Sequence, residues 1–338
     1  MPRWRATCER PAAASLPRSS AARRIERHLA GAELPASGDL LRRRLLKSGL
    51  GRCCRKSLPD RRAPGAEKPG LLGADGVFRD LSGYIKDITG DTLSDASLEK
   101  LKALDPASLP AAPKGVRLGP PVAKVRSLVG IGFNYSDHAK EAGAPIPTEP
   151  IVFLKSANCI CGRNDDVMIP RGSSKLDWEV EIALVVGKRA RYVDLKDATG
   201  YIAGYTICNK VSERVFQFER SASQWTKGKC AEGLAPLGPW LVTGDQIADV
   251  NNLPMWLDVN GKRMQTGTTK TMIFNCSHLL HDISQYMVLE AGDVVTTGTP
   301  PGVGLGMKPQ VFLKAGDVMT LGIEGLGEQR QAVVPFRL

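Results

Sequence analysis

Asp177-Trp178-Glu179-Val180-Glu181-Ile182-Ala183-Leu184-Val185-Val186-Gly187 is the stretch on which both the fold and the chemistry turn. Its aliphatic and β-branched run reads as a strand. On a strand Glu179 and Glu181 share one face, about 7 Å apart, and the apolar run carries them toward the interior. An isolated buried carboxylate is costly, so such groups are paired, hydrogen-bonded or bound to a cation. Two carboxylates suit a hard ion such as Mg2+ or Mn2+. The spacing equally allows an edge strand whose Glu-x-Glu face is solvated.

Working outward, short β-type runs bounded by Gly, Pro, Asn or Asp fill the chain from Val125 onward: SLVGIGF, IVFLK, YIAGYTIC, PWLVTG, MWLDVNG, DVVTTG and DVMTLGI. Helical patterns are few: YSDHAKEAG, RVFQFERSASQW and SHLLHDISQYMVL. The fold class is therefore α+β and β-rich. Val259-Asn260-Gly261 is a hairpin-turn candidate. Upstream, GLLGADGVFRDLSGYIKDI suggests a small β-rich unit, and SDASLEKLKAL a helix capped by Ser94 or Asp95. DPASLPAAPKGVRLGPPVAKV has the Pro and Gly content of a linker or crossover. Three regions follow: a basic extension at 1–68, expected to lack structure apart from a transient helical patch around Asp39 to Leu50, a small subdomain at 69–118, and the main domain at 119–338.

The net charge of +11 would hint at nucleic acid if it were spread along the chain. Residues 1 to 68 hold 17 of the 46 basic and 6 of the 35 acidic residues, so the whole surplus lies there. The remainder gives no electrostatic reason to expect a polyanionic partner. No apolar run is long enough to cross a bilayer. The Arg-, Ala- and Ser-rich opening has the composition of a transit peptide, against which stand Glu9, Glu26 and Glu33. A cytoplasmic location is expected, or the mitochondrial matrix if that opening is a transit peptide. The eight cysteines lack zinc-site spacing and read as reduced thiols, with Cys159 and Cys161 on one face of a strand.

His138 and Glu141 stand three apart, on one face of a helix, where the carboxylate can orient the imidazole and raise its basicity. A surface histidine in a charged helix has the same spacing. Arg214 and Gln217 fall one turn apart, with solvated side chains as the plainer reading. Thr297-Gly298-Thr299-Pro300-Pro301-Gly302-Val303-Gly304 looks like a phosphate loop but lacks the strand-to-helix setting, the dinucleotide spacing and the Walker lysine.

The Glu179/Glu181 strand is followed by Gly204-Tyr205-Thr206-Ile207-Cys208-Asn209-Lys210-Val211-Ser212-Glu213-Arg214, by Gln224-Trp225-Thr226-Lys227-Gly228-Lys229, by Pro236-Leu237-Gly238-Pro239, and by Gly292-Asp293-Val294-Val295-Thr296 leading into the glycine loop. This ordered series resembles the fumarylacetoacetate hydrolase family over residues 69 to 338. It is most similar to bacterial enzymes acting on 2,4-diketo-3-deoxy sugar acids, many labelled ureidoglycolate lyase, with acylpyruvase-type relatives close.

The resemblance implies a mixed β-sandwich roll, a homodimer, and one Mg2+ or Mn2+ held by Glu179, Glu181 and an aspartate after the G-Y-T strand. That third position is Lys210 here, whose ammonium can take the place of the metal between the glutamates. It further implies that His138, held by Glu141, activates water, that Lys229 stabilises developing negative charge, and that Arg214, Gln217 and Thr299 face a keto-acid substrate. Cys230-Ala231-Glu232 departs from the family run after the lysine. The implied reaction is metal-dependent hydrolysis of a carbon–carbon bond in a 2,4-diketo acid, giving pyruvate and a carboxylic acid. A catalytically weak member, because of Lys210, and a decarboxylase, isomerase or lyase are the alternatives.

Overall fold

The computed structural model describes the backbone of residues 52–57 and residues 67–338, apart from 221 and 223. Most of the basic stretch at 1 to 68, including the helical patch at 39–50, lies outside the described residues. Within that stretch Arg52–Ser57 is a strand.

The large sheet follows the path β3 (Phe78–Asp80), β2 (Glu67–Leu72), β1 (Arg52–Ser57), β13 (Ala235–Val242), β11 (Ile202–Asn209), β10 (Val180–Val186), β16 (Val294–Thr296), β5 (Leu128–Gly132), β6 (Ile151–Lys155). At its side β4 (Leu118–Gly119) pairs with β1, and β7 (Ile160–Gly162) with β13. A second sheet runs β15 (Lys262–Thr268), β14 (Pro254–Val259), β17 (Val318–Ile323), β18 (Gly327–Val334), β8 (Val167–Met168). A short pair joins β9 (Leu176–Asp177) to β12 (Ser212–Glu213). Among the described residues three α-helices accompany them: α1 (Asp95–Lys102), α2 (Ser136–Glu141) and α3 (Cys276–Tyr286). This is the β-rich α+β architecture expected.

The decisive strand is central. β10 pairs antiparallel with β11 on one side and β16 on the other, so the edge-strand alternative for the Glu-x-Glu run is overturned. Its alternation places Val180, Ile182, Leu184 and Val186 in a core with Leu257, Met319 and Leu321 of the second sheet. Ala183 and Val185 belong to a separate core with Leu71, Leu81, Leu98 and Leu101 from the N-terminal segment and α1. Both faces of β10 are therefore covered, which is why the run carries no polar residue after Glu181. Glu181 shares the parity of Ala183 and Val185, and Glu179 precedes the strand by one residue.

Local chemistry accounts for the connections. Val259 pairs with Lys262 across a two-residue turn, in which Asn260 and Gly261 hold φ of 51° and 77°. Asn-Gly tolerates these left-handed angles, as a type I′ hairpin needs. The Ser94 hydroxyl caps α1 by accepting from Ser97 N, and Asn275 caps α3 through His278 N. The helix expected across 214–225 is broken: a π-helical turn spans Val215–Glu219, and a separate 3-10 turn spans Trp225–Gly228. Cys159 ends a 3-10 turn and Cys161 lies in β7, so the two do not share one strand as expected.

Leu184 is fully buried in the centre of the large sheet. Truncating Leu184→Ala should lower stability by about 2–5 kcal/mol, the range for a core leucine cavity. Urea unfolding checks this, and an unchanged midpoint would contradict the packing described.

Candidate active site

Glu179, Glu181, Lys210, Arg214 and Lys229 meet beneath a pocket, and none of them is more than 5% exposed. Lys210 follows β11 directly, next to Asn209, the antiparallel partner of Val180. Its backbone N–H donates to Glu179 O at 2.8 Å, which turns its side chain under the carboxylates. The Lys210 ammonium lies 2.6 Å from Glu181 Oε1 and 3.4 Å from Glu179 Oε2, and donates to Ile131 O at 2.9 Å. The contact to Glu181 Oε1 is Coulombic rather than directional, since that oxygen accepts no well-aligned hydrogen bond. Glu181 Oε2 accepts from Gly298 N at 3.0 Å.

Glu179 is surrounded by cations. Lys229 Nζ lies 3.0 and 3.3 Å from its two oxygens, and Arg214 Nη1 reaches Oε1 at 2.7 Å. Lys229 also donates to Ser212 Oγ at 2.5 Å, and Ser212 Oγ donates to Glu179 Oε1 at 3.2 Å. Arg214 grips Asp177 Oδ2 through Nε and Nη2, both at 2.8 Å. Arg214 does not line the pocket. It stands behind Glu179, while Gln217, whose Oε1 accepts from Arg214 Nη1 at 2.9 Å, does line it.

These contacts set the protonation states. Burial would raise the Glu179 carboxyl, but Lys229, Arg214 and Lys210 together hold it well below the usual carboxylate range. Glu181 has one cation partner and the like charge of Glu179 beside it, so burial pushes it above that range. Burial opposes charge on Lys210, yet Glu181 and Glu179 outweigh it and raise its pKa. Lys229 is driven well below the usual lysine value by burial and by the charges of Lys210, Arg214 and Lys155, against the pull of Glu179.

Over this floor sits the histidine–glutamate pair. His138 on α2 places Nδ1 3.0 Å from Glu141 Oε2, while Glu141 Oε1 accepts from Gly302 N at 3.0 Å. With Nδ1–H donating to the carboxylate, the imidazole has Nε2 left for other chemistry. His138 and Thr299 line the pocket, and Glu141 packs on Gly306, where a Cβ would come within 2.9 Å of the carboxyl. Thr299 Oγ1 donates to Val180 O at 2.9 Å and accepts from Gln265 at 2.8 Å. Asp177, Ser212, Lys155 and the aromatic residues of the pocket wall were not singled out from the sequence. Asp177 adjoins the Glu-x-Glu run, and its position there is the one signal that could have found it.

The glycine-rich loop ties these groups together. Besides its amides at Gly298 and Gly302, Gly304 N and Leu305 N donate to Asp177 at 2.7 and 3.0 Å. A Cβ on Gly304 would lie 1.8 Å from Val311 O, so the close approach requires glycine.

Residues 127–334 match the fumarylacetoacetate (FAA) hydrolase C-terminal family. The chain belongs to that family. A relative from Burkholderia multivorans, named only as a hydrolase, is 54% identical over 269 residues, 79% of this chain and 95% of the relative. The fumarylacetoacetate hydrolase of Exiguobacterium antarcticum superposes with a TM-score of 0.74 at 31% identity, covering 85% of this chain and all of the other. A 5-carboxymethyl-2-hydroxymuconate delta-isomerase of Mycobacterium smegmatis gives 0.65 at 28%, again over 85% and 100%. The superfamily thus holds hydrolases and isomerases, commonly dependent on a divalent metal.

In this chain the donor set fits an ammonium and does not fit a divalent cation while Lys210 stays charged. Asp177, Glu179 and Glu181 are joined by ion pairs to Lys210, Arg214 and Lys229, three anions against three cations. A metal ion would add two charges where the carboxylates are already matched, and Lys210 Nζ holds the position between them. Among the described residues no cluster of three His, Cys, Asp or Glu has the arrangement of a metal site.

Arg214→Met should be strongly destabilising, by about 3–5 kcal/mol, because Asp177 and Glu179 lose a buried partner. Arg214→Lys should recover only part of this, since one ammonium cannot reproduce the two-sided grip. Thermal and urea unfolding of both variants are the check, and a wild-type-like Arg214→Met would refute the assignment.

Proposed function

We propose that this chain is an enzyme of its family that hydrolyses a carbon–carbon bond in a small 2,4-diketo acid, with lysine ammonium groups taking over the charge stabilisation for which relatives use a divalent ion. The observation that carries this is Lys210 Nζ lodged between Glu181 and Glu179, below a histidine–glutamate pair. The metal-dependent form of the reaction is disfavoured by the same observation.

In this reading the substrate's 2-keto acid end meets Lys229 and Lys210, and its distal carbonyl lies under His138. His138 Nε2 takes a proton from water as general base, with Glu141 stabilising the imidazolium. The hydroxide adds to the C4 carbonyl. The C3–C4 bond breaks, its electron pair forms the enolate of pyruvate, and C4 leaves as the carboxylic acid. Fixed ammonium charge in a site shielded from water favours that enolate. C3 then takes the proton held on His138, completing pyruvate and restoring the neutral imidazole. Ammonium groups already paired with Glu179 and Glu181 stabilise an enolate less than a coordinating divalent ion, so turnover is expected to be slower than in metal-loaded relatives. The same enolate-stabilising floor also suits an isomerisation, a second reading favoured by the isomerase among the structural neighbours.

Pyruvate release from acylpyruvates and oxaloacetate, with EDTA or Mn2+, separates these readings. Turnover insensitive to EDTA, with no tight Mn2+ binding by calorimetry, is expected of the wild type. Micromolar Mn2+ affinity together with EDTA inhibition would restore the metal-dependent reading. Keto-acid binding without turnover would mark a catalytically weak member. Lys210→Asp should gain Mn2+ affinity by about tenfold or more, since it replaces a cation with a carboxylate ligand. Equal affinity in both proteins would defeat the role given to Lys210. His138→Ala should lower kcat by about 10²–10⁴.

A further inference from the structure

The pocket is charged at its floor and aromatic along its wall. Phe133, Phe153 and Phe218 converge on Trp225, with ring centroids 5.9, 5.4 and 5.8 Å from the indole and interplanar angles of 71°, 61° and 75°. These are the edge-to-face contacts that aromatic quadrupoles favour. All four rings line the pocket, and Phe133 also stacks on His138 at 5.7 Å. Phe153 marks the boundary: the ammonium groups of Lys210 and Lys229 lie 5.0 and 5.4 Å from its centroid.

The backbone is shaped around these rings. A Cβ at Gly132 would sit 2.5 Å from the Trp225 ring, and one at Gly130 2.5 Å from the Phe153 ring. Phe133 holds φ at 48°, a left-handed conformation that bulky residues rarely adopt and that clusters at functional sites. Phe218 comes from the π-helical turn and is 44% exposed, an aromatic face left for a ligand to cover. The oxygens of the uncharged polar side chains beside them are already engaged. Gln217 Oε1 accepts from Arg214, and Thr299 Oγ1 both donates to Val180 O and accepts from Gln265. A polyhydroxylated chain would meet few free partners there, and a site without partners for hydroxyls discriminates against them.

We propose that this wall selects a 2,4-diketo acid whose C4 substituent is an aromatic ring or a comparably bulky apolar group, with Trp225 as the specificity-determining residue. The inference rests on the keto-acid reading above. The acid end would sit over Lys229 and Lys210, and the ring would stack among Phe133, Phe218 and Trp225.

The test compares kcat/KM of the full chain for 2,4-diketo-4-phenylbutanoate, 2,4-diketopentanoate and a 2,4-diketo-3-deoxy sugar acid. The phenyl substrate should be preferred over the methyl one by at least about tenfold, the range a well-fitted apolar pocket gives. Trp225→Ala, and Gly132→Ala, whose new methyl displaces the indole, should each lower that phenyl-to-methyl ratio by about tenfold. The ratio does not depend on how much of a variant folds. Preference for the sugar acid, or a ratio unchanged in Trp225→Ala, would overturn the proposal. Calorimetry with phenylpyruvate and pyruvate keeps the two readings apart. If no diketo acid is turned over but phenylpyruvate binds at least about tenfold tighter than pyruvate, and Trp225→Ala abolishes the difference, the aromatic selection stands and the reaction assignment falls. Equal binding of the two acids removes the selection itself.

Discussion

Two carboxylates at the head of a strand with no solvent on either face are tolerable only if cations come with them. Here Lys210, Lys229 and Arg214 do so, each from a different point along the 40-odd residues that follow β10 in sequence. Removing Lys210 leaves Glu181 without its cation, and removing Arg214 does the same to Asp177; a broken buried pair is far worse than one that was never built. The positions of β11, the π-helical turn and the 3-10 turn at Trp225–Gly228 can all be understood as delivering one cation each to Glu179 and Glu181.

The anions are held by backbone as well as by side chains. Gly298, Gly302 and Gly304 each send an amide to a different acidic residue: Glu181, Glu141 and Asp177. One loop thereby fixes the floor, the orienting partner of the histidine and the buttress behind Glu179. What resembles a phosphate cradle in one dimension is, in three, a cradle for the protein's own carboxylates.

Much of this was legible in advance because it is local. The β10 run, the Asn260-Gly261 hairpin, the Ser94 cap and the His138/Glu141 spacing each depend on a few neighbouring residues. Lys210 stood out as a cation where the family resemblance implies an anion, and the side chain lies between the two glutamates. What was not legible depends on chain segments far apart. The rings of Phe133, Phe153, Phe218 and Trp225 form a wall only once β5, β6 and the two turns are packed, and the spacing of Gly130 and Gly132 shows its purpose only beside those rings. Arg214 and Gln217 read as a pair facing one substrate, yet one points back to Asp177 and the other to the pocket. The break in the expected 214–225 helix has the same origin, since Phe218 and Trp225 are wanted by the same pocket from different directions.

β1 lies between β2 and β13, so Arg52–Ser57 is an internal rung of the large sheet rather than an addition at its margin. A shortened form beginning at Glu67 would keep every pocket residue and still bare the hydrogen-bonding edges of both neighbours. Exposed edges of that kind recruit other chains. A truncation that reaches into Arg52–Ser57 would therefore show clumping, rather than an altered pocket, as its first symptom.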